Sequence, residues 1–141
     1  MKTVLHLPRR LESPNIWNGR HWRVKHRISQ EWEREIWIAV AKNAGAGFVM
    51  EALLCMNAIR AVKRRAEQKM RVTVERHVPS KRNFIRDDDN LRFSVKPLLD
   101  ALKRQGYIKN DSRTWLEHPT PTQYVSEDGK DYTIVTIEPT D

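Results

Sequence analysis

The chain has 141 residues, enough for one domain around a single core, and 39% of them are hydrophobic, an ordinary share for a protein that packs. Lys and Arg number 26 against 18 Asp and Glu, a net charge of +8 that points to a polyanionic partner, nucleic acid before an anionic membrane surface. No run approaches the roughly 18 apolar residues of a membrane span, the first apolar run is too short for a signal peptide, and a single cysteine, Cys55, excludes an intrachain disulfide and fits a reducing cytoplasm.

Thr3 to Leu7 is short, apolar and closed by Pro8, which predicts a first strand. Arg9 to Ile28 reads as a loop, broken by Pro14, Asn15, Asn18 and Gly19. Trp17 and Trp22 sit there among Arg20, His21, Arg23, Lys25, His26 and Arg27. Cations meet phosphates and rings stack on exposed bases, so Arg20, Arg23, Lys25 and Arg27 are candidate DNA contacts. Alternatively, each tryptophan anchors the loop to the core. Ser29 predicts the start of a helix running to about Ala44, because Trp32, Ile36, Val40 and Ala44 recur every fourth residue and Gly45 stops it. After a Gly45-Ala46-Gly47 turn, Met50 to Ala66 reads as a second helix, with Cys55 in its apolar pattern and Arg60, Lys63, Arg64 and Arg65 complementing the dipole near its end.

Met70 to Val78 alternates: Met70, Val72, Val74 and Val78 face one way, Arg71, Thr73, Glu75 and His77 the other, which predicts a half-buried strand ended by Pro79. Lys81, Arg82 and Arg86 then lead into Asp87-Asp88-Asp89-Asn90. These cations either grip the phosphates flanking a reacting bond or balance the acids. On an extended chain Asp87 and Asp89 point the same way. With Asp111 they would make an all-oxygen site of the kind Mg2+ takes. The other reading is that these acids cap a helix and solvate a loop. Val95, Leu98, Leu99 and Leu102 form the apolar side of a helix. It starts either at Asn90 or at Ser94, and the second choice puts Pro97 in the first turn and leaves Asn90 to Phe93 as loop. Gly106 ends it in a left-handed conformation. Tyr107-Ile108 then returns the chain to the sheet. Trp115-Leu116 opens an irregular edge strand broken by Pro119 and Pro121. Asp128-Gly129 signals a hairpin into a last strand, Tyr132 to Ile137. The pattern as a whole predicts an α/β (α+β) fold over residues 1–141, a small mixed sheet of about four strands against two to three helices. No Cys/His spacing suggests zinc, and no Ser-His-Asp or Cys-His arrangement is evident.

The run Arg86, Asp87, Asp89, Asn90, Lys96, Asp100-Ala101-Leu102, Gly106 and Asn110-Asp111 resembles the motif of the RusA family of Holliday-junction resolvases, many of them encoded by phages and prophages. About a quarter of the chain is covered closely. Two departures stand out: Asn110 replaces the first acid of the terminal pair, and three extra residues separate Asn90 from Lys96, which on a continuous helix turn a side chain by about 300° and advance it by about 4.5 Å. Arg92 is the substitute cation if Lys96 is displaced.

The resemblance implies a RusA-like fold and a metal-dependent endodeoxyribonuclease that resolves four-way junctions or related branched DNA in recombination and repair. Asp87, Asp89 and Asp111 would hold Mg2+, with Mn2+ as a substitute. Lys96 would stabilise the transition-state charge or orient the water. Symmetric cutting of a junction implies a homodimer, and the setting implied is the cytoplasm of a bacterial or phage-infected cell. A second reading is a DNA-binding protein that keeps the scaffold without catalysis, and a third is an RNA-binding protein.

Overall fold

A computed structural model describes residues 2–43 and 67–140. The turn expected at Gly45-Ala46-Gly47 and the helix expected at 50–66, with Cys55, lie outside the described residues. The described chain is a mixed α/β arrangement with a five-strand sheet. Strand β1 (Thr3–Leu7) pairs antiparallel with β5 (Tyr132–Pro139), and β5 pairs antiparallel with β2 (Met70–Val78). On the far side of β2 run two short parallel strands, β3 (Leu116–Glu117) beside Met70 and Arg71, and β4 (Thr122–Val125) beside Glu75 to Val78. The break between them spans Pro119 and Pro121, whose rings cannot donate to the ladder. The irregular edge strand read from the sequence is therefore present, as two pieces.

The expected hairpin at Asp128-Gly129 is not a hairpin. Gly129 does take a positive φ of 69°, and the Lys130 N–H donates to Asp128 Oδ1 at 3.1 Å. But β4 and β5 lie on opposite sides of β2, so residues 126–131 cross the end of β2 instead of joining neighbours. The Ser126 N–H pins that crossing by donating to the Val78 carbonyl at 2.8 Å.

Helix α1 spans Trp22–Asn43 and so begins a full two turns before the expected start at Ser29. The four-residue apolar spacing continues backwards through Ile28 and Val24 toward the N-terminus, and no glycine or proline interrupts it. Its early turns are cation-rich because they face solvent, which is why composition alone read them as loop. Two shorter helices follow β2: α2 (Asp88–Phe93) and α3 (Lys96–Arg104). Asn90 to Phe93 are therefore helical, not loop, and Ser94 closes α2 instead of starting α3. Pro97 explains the break: it has no N–H to offer the Phe93 carbonyl, and its ring excludes a continuous helix, yet it is tolerated in the first turn of α3. Gly106 follows with φ of 82°.

One hydrophobic cluster joins Leu5 and Leu7 of β1, Trp32 and Ile36 of α1, Val72 and Val74 of β2, Leu98 and Leu102 of α3, and Val135 and Ile137 of β5. Helices α1 and α3 are stitched by polar contacts as well: Ser29 Oγ donates to the Pro97 carbonyl at 3.1 Å, and Gln105 Nε2 to the Glu33 carbonyl at 2.6 Å. The other face of the sheet carries a row of stacked rings across four strands, His6, Tyr132, His77 and Tyr124. Among the described residues no helix is long and apolar enough to cross a membrane.

Arg76 interrupts the apolar face of β2, and it is only 3% exposed. Its guanidinium donates to the Leu11 carbonyl at 2.8 Å, the Asn83 carbonyl at 2.7 Å and Gln123 Oε1 at 2.9 Å. Replacing it by methionine strands those acceptors, and the predicted loss of unfolding free energy is about 3 kcal/mol. Arg71→Met, on the exposed face of the same strand, is predicted to lose less than about 1 kcal/mol. Urea unfolding of the two variants measures the contrast.

Candidate functional site

The acids at 87–89 form the start of α2. Asp87 is its N-cap and its Oδ1 accepts from the Asn90 N–H at 3.0 Å, with Asp88 and Asp89 exposed in the first turn, where the helix dipole favours negative charge. Asp87 thus has a local structural task. The segment before it is held in place from inside the fold, because Gln123 accepts from the Ile85 N–H at 2.9 Å and donates to the Ile85 carbonyl at 3.0 Å.

Asp111 arrives from the loop after α3, and Lys96 stands at the first residue of that helix. The Lys96 ammonium donates to Asp111 Oδ2 and lies 3.3 Å from Asp100 Oδ1, one turn along the same helix. Lys103 approaches Asp111 at 3.9 Å. Burial works to lower the Lys96 pKa, but the Asp111 hydrogen bond and the charges of Asp100 and Asp111 outweigh it and hold the amine above its ordinary range. The Lys96 hydrogen bond in turn holds Asp111 below the usual carboxylate range. At neutral pH the pair is therefore a full ammonium and a full carboxylate. Lys96 is a fixed charge, not a proton acceptor. Asn110 turns its side-chain oxygen to the Ser112 N–H at 2.8 Å and shapes the turn.

The set Asp87, Asp89 and Asp111 suits Mg2+ by donor chemistry, since all are hard oxygen ligands. Its arrangement does not. Asp87 caps α2, Asp111 is engaged by Lys96, and among the described residues no three Asp, Glu, His or Cys side chains gather as a group that would hold a metal ion. What the fold does bring together is Lys96, Asp100 and Asp111.

His118 was not legible in the sequence. It follows β3, close enough to Lys96, Asp111 and Arg92 to feel all three charges. Burial lowers its pKa, and Arg92 adds to the effect, so the imidazole is neutral at pH 7. Its Nδ1 is buried and has no partner among the described residues. A lone histidine between Glu117 and Pro119 carries no pattern that would single it out.

Of the candidate DNA contacts, Lys81, Arg82 and Arg86 are exposed and make no ion pair with any described residue, so they do not balance Asp87 to Asp89. Arg82 and Arg86 line an open groove with Asp87, Asn90 and Arg10. Arg20 and Arg23 are exposed around the start of α1, Lys25 is half-buried, and Arg27 lies 4.0 Å from Glu31. The two tryptophans divide: Trp17 is buried in the core, whereas Trp22 is 63% exposed with Arg23 over its ring at 5.7 Å. No protein-family model matches the chain, and no curated protein matches it.

The ionised pair sets a pH dependence. Because the Asp111 pKa is depressed in the fold, its contribution is present above the carboxylate's ordinary 3.8 and is lost as pH falls through the folded value. Asp111→Asn is therefore predicted to cost on the order of 1 kcal/mol at pH 7, a modest figure because both partners are about one-third exposed. The difference from the parent protein should shrink as pH drops below 3.8, which thermal melts across pH would reveal.

Proposed function

We propose that the chain is a structure-selective endodeoxyribonuclease of the RusA kind, acting on four-way junctions or related branched DNA as a homodimer. The observation that carries this reading is the meeting of Lys96, Asp100 and Asp111, three residues of the motif that come from a helix and a separate loop. Helix α2, with Asp89 exposed in its first turn, supplies the motif's other acids. The three carboxylates are not gathered as they stand. The chemistry that the chain's own groups provide is phosphate binding by the free cations and an ammonium fixed where charge would develop on a phosphate oxygen. Mg2+, with Mn2+ as substitute, is the cation such a reaction would use, activating water and stabilising the leaving oxygen when bound.

The second reading, a junction-binding protein that does not cut, draws on the same geometry: Asp111 is already neutralised by Lys96, and Asn110 serves a turn. Purified protein incubated with Mg2+ or Mn2+ and with branched or linear DNA separates the two. The nuclease reading predicts divalent-dependent cutting of the branched substrate. Asp89→Asn should lower that rate by about 100-fold or more, and Lys96→Met by a similar factor, with junction affinity retained. Tight binding with no product under either cation supports the non-cutting reading.

A further inference from the structure

Helix α2 contributes to two cationic grooves, through Asn90 to one and through Arg92 to the other, and two residues of helix set these side chains about 200° apart. The first, with Arg82 and Arg86, flanks Asp87 and Asn90. The second lies on the other side and was not anticipated by the motif. Lys69 just before β2, Arg71 at its start, Arg92 from α2 and Arg113 from the loop before β3 line it, together with Glu117 and His118. Glu117 is the one carboxylate in that set. It accepts from Arg71 Nε at 3.1 Å and Arg71 Nη2 at 2.9 Å and lies 3.3 Å from Lys69, so it fixes two cations side by side and cancels only one charge. Arg92 and Arg113 are exposed and make no ion pair with any described residue. The groove therefore keeps a clear positive excess, carried mainly by guanidinium groups, whose planar donors match phosphate oxygens. Its His118 end adjoins Lys96 and Asp111.

We propose that this second groove is a binding track for the phosphodiester backbone of a nucleic-acid strand leaving the Lys96–Asp111 centre, an inference that rests on the nucleic-acid reading above but not on cleavage. Arg92 and Arg113 each meet a phosphate, and the Glu117-held pair of Lys69 and Arg71 extends the track along the sheet edge. A strand in this groove and one in the Arg82–Arg86 groove would straddle α2, which suits a branched substrate better than a straight one.

The test measures binding of a labelled four-way junction in EDTA, where nothing is cut, as a function of salt. Each phosphate neutralised contributes about 0.9 to the slope of log affinity against log salt. The double variant Arg92→Gln/Arg113→Gln should flatten that slope by roughly 2. Arg92→Lys/Arg113→Lys should restore it, and unchanged thermal melts show that the fold is intact. A Gln variant with the parent slope overturns the groove assignment while leaving nucleic-acid binding in place. Failure of the parent protein to bind any DNA overturns both. A flattened slope in a protein that never cuts under Mg2+ or Mn2+ upholds the groove and removes only the nuclease reading.

Discussion

A guanidinium buried on the core face of β2 cannot shed its proton, so its donors have to be met inside the fold. Arg76 meets this demand with acceptors from three separate stretches: the turn after β1, the segment before α2, and β4. Burial and the nearby charge of Arg10 press on its pKa from one side, Glu12 and Asp131 from the other. The consequence is positional. Gln123, held by Arg76, clamps both backbone groups of Ile85, and Ile85 is two residues before the cap of the acidic helix. A buried guanidinium that draws its acceptors from three stretches thus fixes where the acidic helix begins.

The second constraint runs against a local rule. A lysine at the first residue of a helix opposes the dipole, which favours anions there. Lys96 nevertheless occupies that place in α3, and Asp100 one turn on and Asp111 from the following loop offset the cost. Departures from local preference that are compensated by long-range contacts are where function concentrates. Closing α2 at Ser94 and letting Pro97 open a new helix delivers Lys96 to Asp111.

Residues whose environment is set by alternation were legible. The strands at 3–7 and 70–78 emerged with the boundaries the sequence implied, and Gly106 took the left-handed turn expected of it. Charge obscured the rest. The cations at 20–27 hid the early turns of α1, because a solvated helix face and a basic loop have the same composition. Arg76 lies in phase with Val72, Val74 and Val78, but a charged residue on an apolar face reads as an exception until its three acceptors are seen. The hairpin signal at Asp128-Gly129 was a local turn signal only, and strand order is set by pairing at a distance that no dipeptide encodes. The capping reading of the acids at 87–89 was open to the sequence and holds for Asp87, whereas the engagement of Asp111 by Lys96 depends on a contact across 15 residues that no local pattern reveals.

The proposed function requires that acids from α2 and from the 107–115 loop come together at one centre on a basic surface when DNA and metal are bound. Crystals of the protein with a four-way junction and Mn2+, examined by anomalous scattering, test this most directly. The account predicts manganese at about 2.1 Å from carboxylate oxygens of both segments, Asp89 and Asp111 among them, beside a DNA phosphate. Manganese absent from this place, with Asp111 still on Lys96 while the junction is bound, would contradict it.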